Sequence, residues 1–193
     1  LLCPWWLGLD AGNAICNVLW GEYNPSAKLP MTFPAHVGQI PIYYQNKSTG
    51  RPTALKQTYK ASYIDASTEP AYPFGYGLSY TDFGYSDLKL LPGKAAGVHT
   101  EVSVKVTNTG KEVVQLYVQD KVASVTRPIK ELKGFRKIHL NVGESKTVAF
   151  QITDDALGFY DNEMNYMVEP GDFVFMVGGS SDDVQQITYN LKE

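Results

Sequence analysis

The sequence predicts a mainly β protein, in which a β-sandwich follows a fragment of an α/β domain. Two observations carry this prediction. From residue 84 onward, apolar and polar residues alternate in short runs between turn signals, as they do in half-buried strands. Before residue 46, one helical pattern and one apolar run stand alone. A single helix and a single strand cannot bury their apolar faces without further layers, so this part reads as a piece of a larger domain.

The composition is that of a folded protein and excludes several classes of function. Hydrophobic residues make up 44% and charged residues 19% of the 193 residues, which argues against disorder. The net charge is −3 without basic clusters, which argues against nucleic acid and against a membrane surface as partners. No apolar run reaches the roughly 18 residues of a transmembrane helix, and the first residues lack the pattern of a signal peptide.

Histidines and cysteines give no sign of a metal site or of another cofactor. His36, His99 and His139 are scattered without ligand spacing, and the last two are predicted to face solvent. Cys3 and Cys16 lie among apolar residues, so buried thiols are favoured over a disulfide. We therefore predict neither a metal nor a cofactor.

The first element predicted in detail is a helix over residues 10–20. Asp10 is a suitable N-cap, and Gly21 follows where a C-terminal glycine belongs. Five apolar residues recur at helical spacing between them: Ala11, Ala14, Ile15, Val18 and Leu19. The apolar run over residues 1–7 predicts the end of a buried strand. Three tryptophans of this region are therefore expected in a core rather than on a sugar-binding surface: Trp5, Trp6 and Trp20.

Weaker signals follow up to residue 71. Residues 31–33 predict a short strand, whereas residues 37–44 contain Pro41 and predict a loop or an edge strand. Residues 46–71 are polar and rich in turn formers, and they predict an extended connector.

Residues 72–83, which we call the junction segment, place five aromatic residues around two glycines. Gly75 and Gly77 predict a positive φ or a close approach to another surface. The rings of Phe74, Tyr76 and Tyr80 are costly to leave in water, so we expect them to be covered. A hinge between two domains is the favoured interpretation, and a ring that lines a ligand cleft is the alternative.

The remaining residues predict seven or eight strands in an immunoglobulin-like sandwich. Alternating or fully apolar runs mark four strands: 98–106, 114–118, 148–152 and 173–177. Turn residues mark three reversals between strands: 108–110, 141–143 and 169–171. No Cys-Trp-Cys pattern is present, so a fibronectin type III domain is the nearer comparison.

Several segments of the chain form an ordered series of motifs: Gly12–Ile15, Val18–Pro30, Gly38–Tyr44, Asn46–Pro52, Tyr72–Thr81, Val113–Tyr117, Arg127–Pro128, Lys130–Phe135 and Gly143–Ser145. Together they resemble glycoside hydrolase family 3, in its bacterial periplasmic β-glucosidase branch. Two departures stand out. Asp10 replaces a glutamate of the family, and a few residues usual in the family are lacking after Lys111. There, either the hairpin is tight or residues are missing between Lys111 and Glu112.

The resemblance implies three parts in this chain. Residues 1–45 correspond to the end of the family's α/β sandwich domain, residues 46–83 to the connector and junction, and residues 84–193 to the fibronectin type III-like domain. The implied partners are an upstream TIM-barrel domain and an upstream α/β domain of the same enzyme. Through them the enzyme hydrolyses β-glucosides with retention, in the periplasm or outside the cell. A homodimer is left open.

No catalytic residue is carried over, because the nucleophilic aspartate and the acid/base glutamate of the family belong upstream. Tyr63 and Asp65 resemble a segment near the interdomain region and are candidate substrate-binding residues at the cleft rim. The alternative is that they only fix the connector. The pairs Asp154–Asp155 and Asp182–Asp183 are interpreted as solvated turn charges. A second functional hypothesis is a free-standing structural or carbohydrate-binding sandwich module without catalysis.

Overall fold

The computed structural model describes residues 1–50 and 62–192, and the fold of this part is mainly β. Near the N-terminus lie a helix and a single 3₁₀ turn: α1 (Ala11–Leu19) and the turn Val37–Gln39. The strands follow from residue 83 onward: β1 (Phe83–Pro92), β2 (Val98–Asp120), β3 (Glu131–Thr153), β4 (Phe159–Tyr160), β5 (Tyr166–Met167), β6 (Gly171–Gly178) and β7 (Val184–Leu191). A short helix, α2 (Asp154–Leu157), joins β3 to β4.

Two long antiparallel strands, β2 and β3, run through the whole sandwich. The first half of β2 pairs with β1 and with the second half of β3. The second half of β2 pairs with β6 and with the first half of β3, and β7 pairs with the far side of β6. The two halves pack on each other: a Cβ added at Gly134, early in β3, would lie 3.1 Å from the ring of Phe150, late in β3. One bent sheet thus forms both layers of the predicted sandwich.

The two predicted turns in the middle of these strands bend the chain instead of reversing it. β2 shifts register between Asn108 and Gly110, opposite residues 141–143 of β3. Gly143 has a φ of +76°, and the backbone and side chain of Asn141 both donate to the Glu144 carboxylate. Turn chemistry is therefore present, but strand pairing continues on both sides of it, as at a β-bulge. The tight hairpin considered near Lys111 was wrong for the same reason.

The core lies between the two halves of the bent sheet. Alternate residues of β2 point into it with no exposed surface, among them Val102, Val104 and Val106. β6 is buried on both faces over residues 173–177, which confirms the prediction of a central strand. The largest buried rings of the cluster are Phe173 and Phe175, and Phe175 stacks on Tyr189 with ring centroids 5.8 Å apart.

The predicted helix is present, but its surroundings differ from the prediction. Gly21 ends it with a φ of +81°, as a C-terminal glycine does. Asp10 makes no capping bond, because its carboxylate accepts a hydrogen bond from Asn13 Nδ2 instead (2.6 Å). The expected buried strand over residues 1–7 is not formed, since no neighbouring strand of the described chain pairs with it.

Burial near the N-terminus was predicted wrongly. Trp5, Trp6 and Trp20 are 58%, 100% and 77% exposed, and both thiols, of Cys3 and Cys16, are exposed as well. The residue types are right for a core, but α1 has no buried residue within the described chain, where the Tyr80 hydroxyl bonds to Val18 O. Burial depends on partners that the local pattern does not reveal.

Smaller predictions had mixed outcomes. Residues 31–33 form only a single bridge, between Phe33 and Tyr72, and residues 37–44 form a turn and loop rather than an edge strand. Asp154 and Asp155 begin α2 instead of lying in a turn. Asp154 Oδ1 is 2.6 Å from His99 Nε2, so His99 has a partner and does not simply face solvent.

Core packing in β6 generates the first testable prediction. We expect Phe175→Ala to lower the free energy of unfolding by about 3–5 kcal/mol, because it leaves a cavity between the two layers. The control is Phe135→Ala in β3, where the ring is 66% exposed and the expected loss is about 0.5 kcal/mol. Urea unfolding measures both values, and equal losses would contradict the described core.

Candidate functional site

The junction segment lies between the N-terminal part of the chain and the β-sandwich, and it bonds to both. On one side, Leu29 N donates to Tyr76 O (2.8 Å) and Gly75 N donates to Leu29 O (2.9 Å). On the other side, Ser181 N, beyond β6, donates to Phe74 O (2.9 Å). The favoured interpretation, a connection between two structural parts, agrees with this position.

Both glycines of the segment are required for close approach. Gly75 has a φ of +77°, and an added Cβ would lie 2.1 Å from Gln115 Oε1. A Cβ at Gly77 would lie 2.6 Å from Ala27 O. Contacts this short do not occur for real side chains, so the prediction of positive φ or close approach is confirmed at both positions.

The residue that packs against Gly75 is a buried glutamine whose side chain makes several hydrogen bonds. Gln115 Nε2 donates to Gly75 O (3.2 Å) and to Gly179 O (2.6 Å), while Gln115 Oε1 accepts from Tyr117 Oη (2.5 Å). One side chain of β2 thereby joins the junction segment to the end of β6. Because both ends of the amide are bonded, its burial costs little.

Three rings meet at the same place. Phe74 stacks on Tyr44 with centroids 4.2 Å apart, and Tyr117 presents its edge to both rings at 6.4 and 5.8 Å. Tyr117 is fully buried, and burial raises the pKa of its phenol well above the ordinary value. We call Tyr44, Phe74 and Tyr117 the aromatic cluster.

Coverage of the junction rings is only partly as expected. Phe74 is covered, and Tyr76 packs on Tyr72 at 5.1 Å. Tyr80 is 58% exposed, although its hydroxyl donates to Val18 O at the end of α1 (2.5 Å). The expectation for Tyr80 was wrong, because its hydroxyl has a partner in α1 but more than half of the residue stays exposed.

A buried ion pair adds to this connection. Lys28 Nζ lies 2.9 Å from Glu112 Oε1 and also donates to Gly77 O (3.1 Å). The two charged side chains keep only 14% and 4% of their exposure. Paired charges of this kind are costly to separate, because the remaining charge stays buried.

A groove of about 690 Å³ opens beside the aromatic cluster. Its lining includes the loop that contains Asn46, together with Ile129 and Lys130 of the sandwich part. Tyr63 and Glu69, from the end of the connector, also line it. Mixed apolar and polar walls of this size suit a small polar ligand.

Only one of the two candidate substrate-binding residues lies at this groove. Tyr63 lines it, donates its hydroxyl to Gly38 O (3.3 Å) and presents its ring to His36 at 5.6 Å. Asp65 is exposed and is not among the lining residues. The structure therefore does not bring the pair together on one surface.

Sequence reasoning missed two charged residues of the groove. Lys130 Nζ donates to Ser181 O and lies 3.8 Å from Asp182 Oδ1, and burial lowers the pKa of this ammonium group. Asp182 was interpreted only as a turn charge. No local pattern marks Lys130, because its partners lie more than 50 residues away in the chain.

The N-terminal region presents a second surface. Its large exposed apolar residues, which we call the N-terminal apolar face, are Trp5, Trp6, Leu9, Leu19 and Trp20. Soluble monomers rarely expose so many large apolar side chains in one short segment, and such surfaces mark interaction sites.

Within residues 1–50 and 62–192, no three histidine, cysteine or acidic side chains lie together as metal ligands would. None of the helices in the described chain is long and apolar enough to cross a membrane.

Comparisons with known proteins give two domain matches. Residues 1–80 match the family model described as the glycosyl hydrolase family 3 C-terminal domain, and residues 112–181 match a fibronectin type III-like domain. Residues 81–111, which include β1, lie between the two matches.

Individual relatives match along the entire chain. A periplasmic β-glucosidase of Salmonella typhimurium is 48% identical over 99% of this chain, and a β-xylosidase of Formosa agariphila is 44% identical over 100%. The β-glucosidase of Listeria innocua in complex with glucose superposes with a TM-score of 0.90 at 41% identity over 98% of the chain. The chain spans only about a quarter of these proteins, 26%, 27% and 27% of their lengths.

Close approach at Gly75 generates a testable prediction. We expect Gly75→Ala to lower the free energy of unfolding by about 1 kcal/mol for the positive φ and by a further 1–3 kcal/mol, roughly, for the clash with Gln115. The control is Gly97→Ala, which has nearly the same φ (+76°) but open space around the added Cβ. Equal losses in urea unfolding would contradict the close approach.

Burial of the Lys28–Glu112 pair generates another prediction. We expect Lys28→Met to cost about 3–5 kcal/mol, because Glu112 is left charged and buried without its partner. Lys94→Met is the matched control, since Lys94 pairs with the buried Glu101 at 3.4 Å but keeps 70% of its own exposure. Its expected cost is below about 1 kcal/mol. Thermal and urea unfolding of the two variants distinguish these values, and a small loss for Lys28→Met would argue against the pair.

Proposed function

Because the chain belongs to glycoside hydrolase family 3, we propose that it is the C-terminal portion of a retaining β-glucosidase, which removes terminal β-D-glucosyl residues. Its role there is to support the catalytic domains. The match of residues 1–80 to the family's C-terminal domain and the names of the relatives support this proposal.

The single observation that carries the supporting role is the N-terminal apolar face. Trp6 and Leu9 are fully exposed, and α1 buries no residue within the described chain. Exposed tryptophan and leucine side chains gain free energy when another surface covers them. We propose that upstream domains of the same enzyme, a TIM barrel and the rest of the α/β domain, provide that cover.

In this proposal the reaction itself takes place on the upstream domains. Retaining glycosidases use two carboxyl groups about 5–5.5 Å apart, one as nucleophile and one as acid/base. We assign neither group to a residue of this chain. Tyr63 and Asp65 are proposed at the rim of the substrate cleft, and the place of Tyr63 in the groove supports this for Tyr63.

The proposed division of the chain has three parts. Residues 1–45 complete the α/β domain, residues 46–83 connect, and residues 84–193 form the fibronectin type III-like domain. The start of β1 at Phe83 supports the last boundary. The periplasmic relative supports a location in the periplasm or outside the cell.

Two other functions compete with the proposal. Relatives named β-xylosidase, 44% and 42% identical, favour a β-xyloside as an alternative substrate of the complete enzyme. Comparing the hydrolysis of aryl β-glucoside and aryl β-xyloside decides between the two. A free-standing sandwich module needs residues 1–45 to pack on the sandwich, and α1 does not do so.

The proposal predicts how the isolated chain behaves. Purified residues 1–193 should hydrolyse an aryl β-glucoside no faster than a buffer blank, because the carboxyl pair is supplied upstream. The complete enzyme should show turnover under the same conditions. Appreciable turnover by the isolated chain, or none by the complete enzyme, would overturn the proposed function.

Binding to the upstream portion gives a second test of the same proposal. We expect Trp6→Ser to weaken the association of the chain with the separately produced upstream portion at least tenfold, roughly, because a large apolar contact is lost. Unfolding of the chain alone should be unchanged, since Trp6 is fully exposed in it. Phe135→Ser, on β3, is the control with an exposed ring elsewhere, and equal effects of the two variants on binding would contradict the assigned face.

A further inference from the structure

The sandwich holds the loop that forms one wall of the groove. Tyr44 stacks on Phe74, and its hydroxyl accepts a hydrogen bond from Leu132 N at the start of β3 (3.3 Å). Two residues after Tyr44, the carbonyl oxygen of Asn46 accepts a hydrogen bond from Ile129 N (3.0 Å). Lys47 then forms a β-bridge with Pro128. From Tyr44 to Lys47, the loop is therefore attached to the segment just before β3.

Tyr44 packs on side chains that are buried and hydrogen-bonded. Tyr117 is fully buried beneath it, and its hydroxyl is bonded to Gln115, which is itself bonded to two backbone carbonyls. β3 carries one extra residue next to this place, because Leu116 pairs with Gly134 whereas Tyr117 pairs with Leu132. Bulges of this kind redirect the strand locally, and here the Leu132 N–H is directed at Tyr44.

Tyr63 lines the same groove but is held differently. It bonds to Gly38 and packs on His36, and neither of these residues belongs to the sandwich. Asn46, Lys47 and Tyr63 all belong to the lining of the groove. The shape of the groove thus depends on where the sandwich holds the loop.

We propose that Tyr44 is a positioning residue, which sets one wall of the groove through its stack on Phe74 and its bond to Leu132. The inference rests on the proposed function only in what it says about substrate, because there the groove is taken as part of the rim of the substrate cleft. Tyr44 touches no reacting atom in this proposal. Tyr44 instead affects how well the part of a β-glycoside that is remote from the cleaved bond fits into the groove.

The first experiment needs no activity. Amide hydrogen exchange of the 193-residue chain is measured for wild type, Tyr44→Ala and Tyr44→Phe. We expect Tyr44→Ala to accelerate exchange of the Ile129 amide by about tenfold or more, because Ile129 N donates to Asn46 O and the loop loses its attachment. Core amides of β6 should be unchanged, which shows that the variant folds. Tyr44→Phe keeps the stack and should restore most of this protection. Unchanged exchange of the Ile129 amide in Tyr44→Ala would overturn the positioning role.

The second experiment uses the complete enzyme that carries this chain. Tyr44→Ala should raise KM for a β-linked disaccharide several-fold, while kcat changes by less than about twofold, because only binding is affected. Tyr160→Ala, an exposed tyrosine on the β4–β5 hairpin, is the control and should change neither constant. A fall in kcat without a rise in KM would contradict positioning. A complete enzyme without β-glycosidase activity would overturn the proposed function, and the exchange result would then stand by itself.

Discussion

The contact between Gly75 and Gln115 is the constraint on which the rest of the junction depends. Only a residue without a Cβ fits against the Gln115 amide, and only glycine adopts a φ of +77° without strain. The amide in turn needs Gly75 O, Gly179 O and the Tyr117 hydroxyl to satisfy its buried nitrogen and oxygen. Moving the junction segment away would leave one N–H of the buried Gln115 amide without its partner, which costs more than the bond itself contributes.

From this contact the structure extends in both directions. The aromatic cluster makes apolar contacts at the junction, and the Lys28–Glu112 pair adds a buried ionic contact. The sandwich therefore holds residues 27–33 and 44–47. Residues 1–20 keep large apolar side chains exposed, although Val18 O accepts from Tyr80 and Trp5 contacts Phe33. The sandwich thus fixes the position of the N-terminal part of the chain, and this agrees with the proposed supporting role in a larger enzyme.

The sequence predicted what local patterns determine. Alternation marked the strands, the apolar run at 173–177 marked the central strand, and the two glycines of the junction marked close approach. Reversals were predicted wrongly at residues 108–110 and 141–143, because the same turn residues bend a strand when pairing continues beyond them. Burial of Trp6 was predicted wrongly, since burial is a property of the partner and not of the residue. Lys130 and Gln115 were missed because their partners are remote in sequence. The substrate role of Tyr63 and Asp65 stays a prediction.

A double-mutant cycle at the junction tests the central claim most directly. Urea unfolding of Gly75→Ala, Gln115→Ala and the double variant gives the coupling free energy between the two positions. If the sandwich holds the junction through this contact, the added methyl group clashes with the glutamine side chain, and its removal relieves the clash. The cost of Gly75→Ala should then fall by at least about 1 kcal/mol in the Gln115→Ala background. Additive losses would show that the two residues do not meet, and the account of the junction would be wrong.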